Sequence, residues 1–456
     1  MKLDLNIQAR AANKSNAAPA NIEGIYYSLN HNAPKATFAE AAIKGQAPDK
    51  GLYFPKYIPK LSKEFIENIR SYSKEEIGVT VMKPYVGNSI PVNILERIIG
   101  ETVNFDFPLV QLNEDIYSLE LFHGPTLAFK DVGARFMSRC LGYFNRNSSS
   151  RTTVLVATSG DTGGAVANGF LGVEGVDVVI LYPSGKVSPI QELQLTTPGQ
   201  NIKALEVKGT FDDCQAMVKR AFTDVDLNNK LSLTSANSIN VARWLPQQLY
   251  YFYAYQQWQH EQPPVISVPS GNFGNICAGM IAFISGLPVK HFIAACNAND
   301  VVPDFLQTGE YVPRPSIATL SNAMDVGNPS NFVRILEMFG QRLLELKRVL
   351  TAYSVSDTIT ENTIKEVFAK YDYTLDPHGA VGYYALNEYL HGHADEKGIF
   401  LETAHPVKFP EVVERATGKT IPVPASVQHL QNRQKQSITI PASFDALKEW
   451  LMNRQD

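Results

Sequence analysis

The strongest constraint on this chain is a unit that occurs twice: a short β-branched run, a polar glycine loop, then a helix-forming stretch. In the first, residues 153–157 (TVLVA) lead into Thr158-Ser159-Gly160-Asp161-Thr162-Gly163-Gly164, and a helix is expected over 165–171. In the second, residues 265–268 lead into Pro269-Ser270-Gly271-Asn272-Phe273-Gly274-Asn275, with a helix expected over 276–284. Apolar runs this short suit strands covered on both faces, as in a parallel sheet. Residues 176–182, 291–296 and 398–402 read as further strands of that kind. Such alternation implies α/β architecture with right-handed crossovers, and two separated sets imply two α/β units flanking a cleft. Ligands of open α/β sheets bind at the carboxyl ends of strands, where both loops lie.

Ahead of these units, residues 26–102 read as mainly helical. Phe65, Ile66 and Ile69 recur at helical spacing, as do Ile94, Leu95, Ile98 and Ile99, while Pro55, Pro59 and Pro84 are expected to break the segments between. Helices over 332–350, 360–371 and 380–390 are expected to cover the second unit. The division expected is a tail over 1–24, an N-terminal mainly helical domain over 25–105, a smaller α/β domain over 106–235 and a larger one over 236–456, with interleaved boundaries. The Ala/Asn-rich stretch 11–20 stands outside the fold reasoning.

Composition narrows the partners. With 44% hydrophobic and 19% charged residues the chain is too apolar to stay disordered. Lys+Arg number 41 against 45 Asp+Glu, a net charge of −4, which argues against nucleic acid or anionic membrane recognised through bulk charge. Cys140, Cys214, Cys277 and Cys296 are scattered without a C-x-x-C pair, which disfavours a zinc ribbon, a redox dithiol or a disulfide framework. No apolar run is long enough to span a bilayer, and residues 1–30 lack the apolar core of a secretory signal. The expectation is a cytoplasmic protein with no nucleic-acid or membrane partner, present as a monomer or homodimer.

Two glycines in the Gly271–Asn275 loop let the backbone turn sharply and aim several N–H groups at one point, with a helix N-terminus behind them. That is an anion site suited to a phosphate, although a plain βα turn needs no ligand. The spacing is neither G-x-G-x-x-G nor a Walker loop, so dinucleotides and nucleoside triphosphates recede. The first loop offers hydroxyls, backbone donors and one carboxylate, with Asp161 or Thr162 as the expected helix N-cap. Lys130, within His123-Gly124-Pro125-Thr126-Leu127-Ala128-Phe129-Lys130-Asp131, opens a helix expected over 132–144. The positive end of the helix dipole disfavours an ammonium there and favours the free amine. The ordinary alternative is a solvated lysine, against which Leu127, Ala128 and Phe129 weigh. A lysine in an apolar setting, a phosphate loop and a second polar loop jointly point to pyridoxal 5′-phosphate, whose aldehyde takes the lysine and whose phosphate takes the loop.

HGPTLAFKD (123–131), ATSGDTGGA (157–165), NSINVARWLPQ (237–247), SGNFGN (270–275) and ETAHPVKF (402–409) resemble the successive signatures of the threonine synthase family, in its order. The opening YYSLNHNAPKATFAEAAIKGQAPDKGLYFP (26–55) resembles the N-terminal segment of the family's bacterial and fungal branch. The resemblance runs from Tyr26 to about Gly418 and implies a fold-type II pyridoxal-phosphate enzyme, like the tryptophan synthase β-chain, with the cofactor in the cleft. It implies a lyase turning O-phospho-L-homoserine and water into L-threonine and phosphate. By motif, Lys130 resembles the Schiff-base lysine, Gly271, Asn272, Phe273, Gly274 and Asn275 the cofactor-phosphate loop, and Thr403 the hydroxyl facing the pyridine nitrogen. Ser159, Asp161 and Thr162 match the loop that receives the substrate carboxylate and the ring hydroxyl, where many relatives carry Asn in place of Asp161. Asn237 and Arg243 resemble the substrate-phosphate site, for which a guanidinium fork is well suited.

Two rival readings are a related phospho-lyase releasing a 2-oxo acid, and a catalytically silent protein that keeps the fold. Weaker candidates have plain explanations. His391-Gly392-His393 lacks a nearby acid or Cys to complete a metal set, and no metal is expected. His405 reads as a structural histidine or one that orients Thr403. Pro329 is expected in the first turn of the helix after the polar loop 321–331, with Asn328 as its cap. Tyr250, Tyr251, Tyr253, Tyr255 and Trp258 read as helix packing and not a base-stacking platform.

Overall fold

The computed structural model describes residues 24–148 and 150–454. Residues 1–23, nearly all of the expected tail, lie outside them. The N-terminal domain opens with a small antiparallel sheet of β1 (Ile25–Ser28), β2 (Ala36–Thr37) and β3 (Tyr53–Pro55), in the order β2-β1-β3. Helices Phe38–Lys44, Lys63–Glu67, Lys74–Val86 and Val92–Thr102 follow. Thr37 with Glu40 and Ser73 with Glu76 form reciprocal capping boxes that start two of them. Pro84, expected as a break, sits inside helix Lys74–Val86. It falls in the last turn, where it forfeits one backbone donor, and the buried face of Ile77, Val81, Met82 and Tyr85 holds the helix regardless.

The chain then builds β4 (Leu109–Gln111) and β5 (Ile116–Glu120), and next β6 (Thr152–Ala157), β7 (Val176–Pro183), β8 (Ile202–Lys208) and β9 (Ser232–Ser235). It continues through β10 (Val265–Pro269), β11 (His291–Cys296), β12 (Leu350–Ser354) and β13 (Gly398–Glu402) to β14 (Ile438–Pro441). One sheet has the order β12-β11-β10-β13-β5-β4, parallel except for β4; the other has the all-parallel order β14-β8-β7-β6-β9. The boundaries expected near 105 and 235 follow chain order, whereas the sheets do not. Strands β4 and β5 belong to the six-stranded sheet, and β14 lies at the edge of the five-stranded one.

The central strands are mostly apolar and covered on both faces, β6 and β13 being buried throughout. A single core carries Phe38 and Val81 of the N-terminal domain together with Val132, Val154, Trp244 and Ile266 of the two α/β units. The helix expected over 332–350 is divided into Phe332–Met338 and Leu343–Lys347, and Leu350 already begins β12. Gly340 and Gln341, with φ of 62° and 60°, turn the chain between the pieces.

Candidate active site

Lys130 is the first residue of helix Lys130–Asn145. The turn before it is tied to the end of β13: the Phe129 N–H donates to the Thr403 carbonyl (2.9 Å), and the His405 N–H donates to the Leu127 carbonyl (3.0 Å). Asp131 closes the same turn by accepting from the Thr126 N–H (2.9 Å) and hydroxyl (2.5 Å). Tyr250 donates its hydroxyl to the Phe129 carbonyl. Burial lowers the Lys130 amine below its ordinary value, with Lys408 and Arg243 pushing the same way and Asp161 opposing. Position and charge thus agree on a lysine prepared to lose its proton.

The second glycine loop joins β10 to helix Gly274–Ile284. Gly271 lets the loop touch the backbone of Met324, where a β-carbon would lie 2.5 Å from Cα. The left-handed residue of the turn is Phe273, with φ 59°, and neither glycine. Its ring is anchored against Phe332 at 5.4 Å. Asn272 accepts from the Ser330 N–H (2.6 Å) and donates to the Ser238 hydroxyl (2.8 Å). Tyr251, on the helix read as mere packing, reaches Asn275 Oδ1 at 2.7 Å. Among the described residues, no backbone N–H from Gly271 to Asn275 finds an acceptor, and the buried Asn275 Nδ2 has none either. Convergent, unspent donors at a helix N-terminus fit the phosphate of pyridoxal phosphate.

The first loop starts helix Asp161–Phe170 by a different device from the expected Asp161 or Thr162 cap. The Thr158 hydroxyl accepts from the N–H groups of Gly160 and Gly163, both at 2.9 Å. Gly160 has φ 142° and no room for a β-carbon against Gln191. The Asp161 carboxylate, now the first helical residue, is buried in an ion pair with Lys408 Nζ at 2.6 Å and accepts from Gln191 Nε2 at 2.9 Å. Burial alone would raise its pKa, but Lys408 and Lys130 reverse that and hold it well below the usual carboxylate range. Ser159 and Thr162 remain partly accessible beside it.

Arg243 lies on the short helix Val241–Trp244, buried beneath the start of the Lys130 helix. Its Nη1 donates to the Lys130 carbonyl (3.3 Å), its Nε has no partner, and no carboxylate pairs with it among the described residues. Burial lowers its pKa to about 10. Asn237, just beyond β9, donates to the Ala157 carbonyl at the end of β6 (3.2 Å), which brings it beside the first loop. Arg334, which the motif reading did not single out, is a second buried guanidinium without a carboxylate. It donates to the carbonyls of Ser238 (3.1 Å), Ile239 (2.6 Å) and Tyr53 (3.1 Å) and to the side chain of Asn331. Helix Phe332–Met338 begins after Asn331, so Asn328 is not its cap.

Thr403 follows β13 and is buried, with no side-chain bond among the described residues. Beside it, Glu402 is wholly buried, and its Oε1 accepts from the Asp376 N–H at 2.6 Å. Burial first, and then the neighbouring Asp376, raises its pKa far above normal. His405 caps the short turn Pro406–Lys408 through Nδ1, which accepts from the Val407 N–H (3.1 Å), and so bears on Lys408 and not on Thr403. His391 and His393 form no metal cluster with other donors among the described residues. Lys408 and Glu402 both fall inside the ETAHPVKF motif. The signal for them was a charged residue within a run otherwise fit for burial.

A lysine amine and an acceptor-free N–H loop at the carboxyl end of one sheet, faced by hydroxyls at the end of another, define a pyridoxal-phosphate enzyme of fold type II. A family profile described as pyridoxal-phosphate dependent enzyme matches residues 100–401. Profiles for the threonine synthase N terminus and C-terminal region match 25–103 and 379–451. Threonine synthase of Escherichia coli (strain K12) is 43% identical over 431 residues, 94% of this chain and 99% of that protein. A crystal structure of the Escherichia coli enzyme has a TM-score of 0.88 to this chain, covering 94% of it and all of its own chain. The PLP-bound threonine synthase of Brucella melitensis has the same TM-score at 36% identity, covering 94% and 98%. The chain belongs to the threonine synthase family. It is a pyridoxal-phosphate-dependent lyase acting on a small molecule. No helix among the described residues is long and apolar enough to cross a membrane.

Proposed function

We propose that this chain converts O-phospho-L-homoserine and water to L-threonine and phosphate, with Lys130 as the cofactor-bearing and proton-moving residue. One observation carries the reading: the Arg243 guanidinium, buried and without a carboxylate, donates to the carbonyl oxygen of Lys130 itself. A buried cation that has no carboxylate partner and bears on the Lys130 amine through its charge suits a substrate with a phosphate on its side chain. When bound, pyridoxal phosphate supplies an aldehyde for the amine and a ring that withdraws electrons from the substrate. The N–H groups of Gly271, Asn272, Phe273, Gly274 and Asn275 would hold its phosphate, and the Thr403 hydroxyl would serve its ring nitrogen. Ser159 and Thr162 receive the substrate carboxylate, with the Asp161–Lys408 pair as the wall of that pocket. Arg243 and Asn237 receive the substrate phosphate and stabilise it as it leaves Cγ. The Lys130 amine would take the Cα proton and later return one as water adds at Cβ.

Four free, buried cysteines support a cytoplasmic location, with the protein a monomer or homodimer. The test supplies O-phospho-L-homoserine to purified protein and measures phosphate, threonine and 2-oxobutyrate. Equal phosphate and threonine are expected; 2-oxobutyrate in place of threonine would make it a phospho-lyase, and no turnover a silent homologue. Borohydride should fix the cofactor on Lys130 and on no peptide of Lys130→Ala, which should be folded and inactive. An adduct on any other lysine overturns the site.

A further inference from the structure

Lys408 is an oddity: a lysine with no exposed surface, its Nζ 2.6 Å from Asp161 Oδ1 and 2.8 Å from the Thr126 carbonyl. Buried ion pairs are poor sources of stability, since apolar replacements of both partners cost little. Its presence beside the reacting lysine therefore asks for a reason in the chemistry. Around Lys130 stand Asp161, Lys408 and Arg243, together with the ring of Phe129 at 5.5 Å. Around Lys408 stand Asp161, Asp131 and His405, and the last is neutral because burial lowers its pKa to about 4. Arg243 is faced by Tyr250 and Asp131. Asp161 is thus the acid common to both lysines, and it is ionised.

A free carboxylate there would be a natural counter-ion for Lys130. Capture of the aldehyde needs the amine lone pair: it forms the C–N bond while the aldehyde oxygen departs as water, which an ammonium cannot do. Lys408 is held on Asp161 from the other side by a turn that His405 caps and by the buried flanks Val407 and Phe409. Gln191 fixes the same carboxylate oxygen. We infer that Lys408 is a positioning residue whose ammonium occupies Asp161 and so leaves Lys130 free to take the cofactor aldehyde. Asp161 and Lys408 together make a neutral polar wall where a lone carboxylate would repel anionic ligands. The inference rests on the role proposed above for Lys130.

The experiment measures how fast the full-length apo-protein covalently captures pyridoxal phosphate, by its visible absorption, from neutral to alkaline pH. Borohydride mapping of the wild type comes first: an adduct away from Lys130 overturns the proposed function and this inference with it. With the adduct on Lys130, the pH midpoint of capture in Lys408→Met should rise by about one to three units, the scale of a new close counter-ion. Lys408→Arg, which keeps the charge, should stay near the wild type. Asp161→Asn combined with Lys408→Met should bring the midpoint back, though it lacks the same ammonium. A merely structural lysine would leave the midpoint in place and the double variant no better than the single. An unmoved midpoint in folded Lys408→Met, or no restoration in the double variant, overturns this inference alone. If Lys408→Met does not fold, Asp161→Asn decides: its midpoint should fall, because Lys408 then repels Lys130 unopposed, and any other direction refutes the idea.

Discussion

Gly271 and Gly274 stand three residues apart in one loop, yet the structure separates their jobs. A β-carbon on Gly271 would lie 2.5 Å from Met324 Cα and 3.0 Å from its carbonyl carbon, both backbone atoms that cannot rotate away. Restoring a contact of about 3.4 Å requires the loop or the 322–324 turn to shift by roughly 1 Å, an overpacking cost of about 1–3 kcal/mol. A β-carbon on Gly274 would meet nothing nearer than 3.4 Å, at Asn331 Nδ2 and Ser238 Cβ. Gly271→Ala should therefore misalign the N–H groups before any cofactor arrives, weakening pyridoxal phosphate by roughly 5- to 150-fold at 1.4 kcal/mol per tenfold. Gly274→Ala should keep the unliganded fold intact, so that any loss of cofactor affinity reports crowding by the phosphate itself. The assay is equilibrium titration of apo-protein with pyridoxal phosphate, alongside thermal unfolding of the unliganded variants. Wild-type stability and affinity in Gly271→Ala would refute the packing argument. Lost unliganded stability in Gly274→Ala with an unaffected Gly271→Ala would reverse it.

Arg243→Ala should lower kcat/KM for O-phospho-L-homoserine by roughly 10- to 150-fold, the loss of about 1.5–3 kcal/mol for a charged hydrogen-bond partner, while pyridoxal phosphate stays bound. Steady-state kinetics with the absorption spectrum as a cofactor check decides it, and an unchanged kcat/KM removes Arg243 from the substrate site. Burial raises the Glu402 pKa in the fold above its unfolded value, so its contribution to stability is full below the ordinary carboxyl range and is lost as pH rises towards the raised value. Glu402→Gln, which cannot ionise, should gain on the wild type by about 1.4 kcal/mol per pH unit through that window, read by thermal melts across pH; a constant difference would refute the raised pKa.

What the sequence disclosed follows from the kind of force each feature obeys. Strands β6, β7, β10, β11 and β13 were legible to within a residue or two, because a strand buried on both faces must be largely apolar. The short strand β9 and the edge strand β14 lack that compulsion, with exposed positions in each, and their pairing depends on partners far along the chain. The break at Gly340 and Gln341 had one mark, the glycine, while the left-handed glutamine after it carries none. At the site, Lys130 and the glycine loop announced themselves by local chemistry, a cation at the wrong end of a helix and glycines ahead of another. Asp161 was harder. As a lone carboxylate it contradicted a pocket built for anions, and the contradiction dissolves only through Lys408, 247 positions away and at 2.6 Å. Tyr251 was read correctly as helix packing and still missed, since the same ring that fills the core ends in a hydroxyl on Asn275. Charge balance in a buried site belongs to the cluster and not to any segment. A sequence read segment by segment therefore finds the proposed reacting amine before it finds the charged groups packed around it.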